Sequence, residues 1–370
     1  MVGHRPTFRD ERPRVRAAPA VAKPADPAKA KKPDPGEKLF GEFLVPRFQI
    51  DIAEPEMQIL RQKPREYVKT QMKITLPDGQ QALVDVGVHL KGAAGSFRGI
   101  DDRPALTVNF DKFKKGQKFF GLDKIHLNNS VQDGGYANEL VCSELNLAAG
   151  VPTARVTHAT VKINNRDLGL YVLKESYDKT FLKRSFGDDK GNLYDGGFCQ
   201  EIDANLQRDA GEGPDDKADL KKLIDACREG DLAKRIEKLE KILDIDEFCR
   251  FMAMELICAH WDGYVRNRNN YRIYFNPSNG GRAAFIPHGM DQMFGDPNFD
   301  AVSPNALVSQ AIMQTPELRR GIATSSKNSP VCSIRKKRPN GWTSIASTSC
   351  RRSRNSIPAW RIISTTTSTG

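Results

Sequence analysis

Apolar and polar residues alternate most cleanly over residues 82–90, where Val84, Val86, Val88 and Leu90 fall on one side of an extended chain. Residues 67–76 precede them across Pro77-Asp78-Gly79, a turn composition, so the two runs read as a β-hairpin. Residues 105–110 supply a third strand. Between residues 137 and 149 the period changes. Leu140, Val141, Leu145 and Leu147 lie near helical spacing, and Gly150-Val151-Pro152 ends the helix, because glycine caps it and proline cannot continue it. Residues 155–163 and 168–173 are β-rich and separated by Asn164-Asn165-Arg166-Asp167, a hairpin-loop composition.

After Gly187 the helical period dominates, in Leu220, Leu223, Ile224 and Cys227, then in Leu232, Ile236, Leu239 and Leu243, then over residues 248–257. Asp231 and Asp244 stand where N-caps belong. A last hairpin is predicted from residues 271–275 and 283–286 around a Pro/Asn/Gly turn. The order is thus a sheet-rich region followed by a helical one.

Both ends differ from this body. Residues 1–38 are rich in Pro, Ala and Lys and hold too few large apolar side chains to order themselves, so they read as a tail. Residues 321–370 contain 18 Ser/Thr, no acid and no sustained period. They read either as a basic tail or as a frameshifted stretch replacing a genuine helical end, and the abrupt break near Ala323 favours the second.

Composition narrows the function classes. The 370 residues are 39% hydrophobic and 28% charged, which suits a globular chain and excludes collagen, coiled coil and small disulfide scaffold. No apolar run approaches the roughly 18–20 residues of a membrane helix. Of the net charge of +11, +5 lies in residues 1–38 and +9 in residues 321–370, leaving −3 for the body between. A basic groove for nucleic acid is therefore not indicated. Seven cysteines show no CxxC spacing and read as buried free thiols. The N-terminus lacks the apolar core of a secretory signal, so the chain as written predicts a cytoplasmic protein, or an exported one if the true start lies upstream.

Chemistry concentrates near two acids. Asp262, in HWDGYVRNRNNYRIYF, leaves an apolar helix and enters an amide-rich loop, and Asp291, in FIPHGMDQMFG, follows a strand. An acid, an asparagine five positions on at Asn267 and a second acid after a short hairpin form the layout of a phosphotransferase, in which the first acid orients the hydroxyl and the others hold Mg²⁺. Taken singly, each residue has a plain structural alternative as a turn or cap. His260 and His288 flank the acids without zinc-ligand spacing.

The stretches LKGAAGSFRG (residues 90–99), GLDKIHLNNS (121–130), NELVCSELNLAAGVPTARV (138–156) and INNRDLGLYVLKESYDKTFLKRSFG (163–187) carry a resemblance that continues through GNLYDG (191–196), the long run 243–274 and residues 285–295. Together they resemble the CotH family of atypical, kinase-like proteins, named for a bacterial spore coat protein. The resemblance spans about residues 65–300, in order. It implies an α+β, two-lobed, protein-kinase-like fold, with a sheet-rich nucleotide-binding lobe over residues 39–180, a helical catalytic lobe over 181–320, and a C-lobe left incomplete by the break. It further implies Mg²⁺- and ATP-dependent phosphorylation of serines in a Ser-rich protein. On that resemblance Asp262 is the catalytic acid, Asn267 or Asn270 the amide metal ligand, and Asp291 the metal-binding acid. Lys91, Gly92, Gly95 and Arg103 face the phosphates, and Glu175 lies in the hinge near adenine. Glu139 or Glu144 supplies the partner ion pair.

Two departures stand out. His288-Gly289 replaces a Trp-Asp that family members often carry, which removes a carboxylate beside Asp291, and the basic residues beyond the glycine loop are reduced to Arg103. A catalytically weak kinase-like scaffold for coat or surface assembly is the alternative reading.

Overall fold

The computed structural model of the chain describes residues 34–93, 95–295 and 304–327. The segment 328–370, on which the frameshift reading chiefly rests, and residues 1–33 of the N-terminal tail lie outside the described residues.

The first half is built from α1 (Glu37–Gly41), β1 (Arg47–Asp51), α2 (Glu54–Gln62), β2 (Val68–Thr75), β3 (Gln81–Lys91), β4 (Ala105–Asn109), β5 (Lys124–Asn128), α3 (Asn138–Ala148), β6 (Val156–Ile163) and β7 (Arg166–Glu175). Its seven strands close into a barrel in the order β1-β2-β3-β4-β5-β7-β6, sealed by parallel pairing of β6 with β1. Closure leaves no strand edge exposed. The alternation read in the sequence is realised, since Val68 pairs with Val88 and Met72 with Val84, and all but the half-buried Val84 are buried in the barrel core.

Because side chains alternate in a strand, the residues between these point outward. Register aligns His89 with Thr107, Thr107 with His126 and His126 with Lys174 across β3, β4, β5 and β7. The outside of the barrel therefore carries a polar row, and Lys91 and Asn128 lie two residues along from His89 and His126.

The second half contains α4 (Lys179–Phe186), β8 (Leu193–Asp195), β9 (Gln207–Ala210), α5 (Ala218–Arg228), α6 (Leu232–Ile242), α7 (Ile245–Ile257), α8 (Tyr264–Asn267), β10 (Tyr271–Asn276), β11 (Arg282–Pro287), α9 (Leu307–Gln314) and α10 (Pro316–Lys327). Its four strands form one antiparallel sheet, β11-β10-β8-β9, so the region expected to be helical also holds a sheet. Asp231 accepts from Lys234 N and Asp244 from Glu247 N, the two caps the sequence proposes, each stabilising its helix by about 1 kcal/mol. Phe248, Tyr264, Tyr271 and Phe285 pack edge to face and stacked, with centroids 4.5 Å apart for Tyr264–Tyr271 and 4.8 Å for Phe248–Phe285.

Three expectations need correcting. Helix α10 runs on to Lys327, beyond the boundary at 320, with Ile322 buried and Gly321 so close to α7 that a Cβ there would stand 3.0 Å from Cys249 Sγ. A side chain at 321 would press on that sulfur. Cys199 is exposed, whereas Cys142, Cys227, Cys249 and Cys258 are buried and free as expected; Cys332 and Cys350 lie outside the described residues. The residues after Asp262, read as a loop, include the short helix α8. Among the described residues no helix is long and apolar enough to cross a membrane.

Candidate active site

The loop that carries Asp262 is fixed from beneath. Glu255, buried on α7, accepts hydrogen bonds from Tyr264 N at 3.0 Å and Val265 N at 2.9 Å, which satisfies the free amides at the start of α8. His260 Nδ1 lies 3.5 Å from the same carboxylate. A Cβ on Gly263 would come within 2.5 Å of Glu255 Oε1, so a side chain there would push on the carboxylate that holds the loop. Ala259, Arg268 and Asn270 all have positive φ, a costly backbone for non-glycine residues and one concentrated here.

This frame brings the sequence-predicted acid and amides together. Asn270 Nδ2 donates to Asp262 Oδ2 at 2.9 Å and to the Asp262 carbonyl at 3.0 Å, and Asn267 Nδ2 lies 3.5 Å from Asp262 Oδ1. Gly289 has φ +60°, and a Cβ there would stand 2.3 Å from Asn270 Oδ1. The space a side chain at 289 would need is filled by Asn270.

The barrel and α3 supply a second group of polar side chains, tied to the segment that carries Asp291. Lys91 Nζ donates to Asn128 Oδ1 at 2.5 Å, and Asn128 Nδ2 donates to Glu139 Oε2 at 2.8 Å and Oε1 at 3.0 Å. Lys174 Nζ lies 3.6 Å from Glu139 Oε1. Glu139 is buried on the first turn of α3, and Glu144, one turn along, is exposed; the ion pair that Glu139 makes is with Lys174, and it meets Lys91 only through Asn128, whereas the sequence reading pairs it with Lys91 or Arg103. Its neighbour Asn138 donates to the carbonyl oxygen of Asp291 at 2.8 Å, which ties α3 to the segment after β11.

Electrostatics follow from this crowding. Burial, and then the proximity of Glu139, pushes the Asp291 carboxyl up to about 6. Desolvation lowers Lys91 to about 8 against the pull of Glu139. At Lys174 burial also acts downward, but Glu139, Tyr177 and Asp291 outweigh it and the ammonium is held above its ordinary value. Burial and the surrounding cations keep His126 and His288 well below theirs, so both are neutral at pH 7.

Two predicted residues are engaged elsewhere. Arg103 donates to the carbonyls of Asn129, Leu168 and Leu170 and to Tyr136 Oη, and lies over the Tyr171 ring; its guanidinium pins loops. Glu175, expected in the hinge near adenine, is fully buried in an ion cluster with Arg155 at 3.0 Å and Arg184 at 2.7 Å, and its carboxylate is committed there. Lys174 and Glu175 are consecutive in β7 and therefore point to opposite faces. Gly92 and Gly95 both have positive φ in the loop after β3, and the Gly92 carbonyl accepts from Arg65. Lys174, Asn128, Asn138 and Glu255 escape the sequence reading, although the first three lie within the quoted runs LKES, HLNNS and NELV, and extending the period-2 pattern through β7 separates Lys174 from Glu175.

Among the described residues no group of three or more His, Cys, Asp and Glu gathers as a metal cage. The donors available here are the Asp291 carboxylate and the amide oxygens of Asn267 and Asn270, and oxygen donors completed by water are what Mg²⁺ accepts. Asp291 faces the negative Glu139 and also the positive Lys174 and Lys91.

A closed barrel set against a mixed helical and sheet region makes this an α+β protein with one polar site gathered from both. The family profile described as CotH kinase protein matches residues 88–328, well over half the chain, and the chain belongs to that family. It is 26% identical over 210 residues to Invasin CotH3 of Rhizopus delemar, covering 51% of this chain and 34% of that protein. Inner spore coat protein H of Bacillus subtilis is 24% identical over 179 residues, covering 43% of this chain and 48% of that protein. A shorter stretch of 60 residues is 38% identical to Invasin CotH2 of Rhizopus delemar, covering 16% of this chain and 10% of that protein. The chain spans less than half the length of each of these curated relatives.

Proposed function

We propose that the chain is an ATP- and Mg²⁺-dependent protein kinase acting on serines of a Ser-rich protein, on a two-lobed scaffold whose lobes are the barrel and the helical region. The observation that carries this reading is Glu139, which bonds Lys91 through Asn128 and Lys174 directly while Asn138 beside it holds the Asp291 main chain. Two oriented cations opposite an acid suit a triphosphate whose negative charge has to be met on more than one side.

In this reading Lys91 and Lys174 meet phosphate oxygens. Asp262, held by Asn270, accepts the serine hydroxyl's hydrogen bond and takes its proton as the oxygen–phosphorus bond forms and the bond to the β-phosphate oxygen breaks. Asp291 with Asn267 or Asn270 would hold Mg²⁺, which supplies charge neutralisation when bound. The remaining contribution is positioning, for which a loop fixed by Glu255 is suited.

The test is transfer of labelled γ-phosphate from ATP with Mg²⁺ into a Ser-rich acceptor by the chain as given and by Asp262→Ala and Asp291→Ala. Loss by about a hundredfold or more in both variants supports the reading; transfer undiminished in both overturns it. The second reading, a catalytically weak scaffold, draws on Gly289 and on the Asn270 amide that fills its side-chain space. Nucleotide binding without transfer by the unaltered chain favours it.

A further inference from the structure

No residue of the run HLNNS touches substrate in the mechanism above, yet its first asparagine sits between the two charges that the mechanism needs. Asn128 ends β5 on the outside of the barrel, with its oxygen toward Lys91 and its nitrogen toward both oxygens of Glu139. The next residue, Asn129, is buried and donates to the carbonyls of Ser96 at 3.0 Å and Arg103 at 2.8 Å, one within and one beyond the glycine loop. Asn128 is therefore held by a residue that is itself locked.

We propose that Asn128 is a positioning residue that fixes Lys91 and Glu139 relative to each other, and that its amide is required because one side chain has to accept from an ammonium and donate to a carboxylate. Among side chains of this length only an amide presents a strong acceptor and two donors at once. Aspartate keeps the shape and the acceptor but loses the donors and sets a second negative charge against Glu139. Alanine removes both contacts. The inference rests on the phosphotransfer reading for its consequence, since Lys91 is there taken to meet phosphate.

An exchange of roles tests it. In Asn128→Asp with Glu139→Gln, the pair again consists of one carboxylate and one amide, the carboxylate now beside Lys91 and the amide donating toward it. Titration with a fluorescent ATP analogue in Mg²⁺ is expected to show Asn128→Asp weakened by about tenfold or more, as loss of a charge-assisted hydrogen bond implies. The double variant should bind better than Asn128→Asp alone, because the two sites are directly coupled, and the part of the loss that remains reflects the ion pair that Lys174 gives up with Glu139→Gln. A residue that merely fills space would leave the isosteric Asn128→Asp unchanged, and that result, or a double variant no better than the worse single one, overturns the proposal.

Melting temperatures of the same four proteins without nucleotide carry the cycle independently. Failure of the parent to bind nucleotide would defeat the phosphotransfer reading, and the melting cycle would then decide the role of Asn128 by itself: non-additive recovery in the double variant sustains it, additive loss defeats it. Should Asn128→Asp not fold alone, Asn128→Ser takes its place, expected to weaken binding severalfold because one hydroxyl cannot hold both Glu139 oxygens.

Discussion

At the scale of single residues the site is a matter of which side chains are free to act. Sequence alone makes Gly289 a lost carboxylate, whereas the structure gives it a positive φ and no room for a Cβ. Gly289→Asp is therefore expected to displace Asn270 from Asp262, destabilise the chain by about 1–3 kcal/mol in urea unfolding and fail to raise phosphotransfer. A gain of phosphotransfer at undiminished stability would show that the lost acid alone limits the proposed activity. The cluster of Asp262, Asn267 and Asn270 was legible because the three lie within nine residues of one another, Asp262 and Asn267 at a known spacing and Asn270 through the resemblance. Lys174 was not, because its partner Glu139 is distant in sequence and the acid beside it, Glu175, draws attention to itself. Strand geometry decides between the two, and it becomes visible only with the full register of β7.

Elements were legible where they were long or capped. The hairpin β2–β3, helix α3 and the helices begun by Asp231 and Asp244 follow from periodicity and cap chemistry. Strands β1, β5, β8 and β9, of three to five residues, are too short for a period to declare itself. Helix α7 adds a pH dependence that no periodicity reveals. Burial pushes Glu247, in its first turn, up to about 8, although one carboxylate oxygen accepts from Phe285 N at 3.0 Å. A carboxyl raised in the folded state contributes stability that is full below its unfolded value near 4.5 and is lost as pH rises to about 8. Thermal unfolding should accordingly show the melting temperature falling across that window. Glu247→Gln should flatten the profile and be the more stable form at pH 8, by on the order of a few kcal/mol. Parallel profiles for the two proteins would exclude Glu247 as the source.

For the molecule as a whole, the family match ends at residue 328 and α10 at Lys327. A chain ending at Lys327 is expected to melt within about 2 °C of the full one. One ending at Thr315 removes Ile322 and the helix packed on α7, and it is expected to lose several kcal/mol of stability or fail to fold. Equal melting for all three chains would mean that α10 contributes nothing.

The alternation of Lys174 and Glu175 has a wider consequence, because two separate tasks are written into neighbouring letters of one strand. Sliding β7 by a single residue one way would carry Lys174 into the Arg155–Arg184 cluster and set Leu173 beside Glu139, and the other way would deliver Glu175 to Glu139 and turn Lys174 to the core face of Leu173, so either slip breaks both arrangements at once. An insertion or deletion in the tight Asn164–Asn165 turn that shifts β7 therefore disturbs the Lys174–Glu139 pair and the Glu175 cluster together. The irregularity between Val161 and Lys162 is the place in this hairpin where a change in residue count has already been absorbed, and a library of single-residue indels should find tolerance concentrated there.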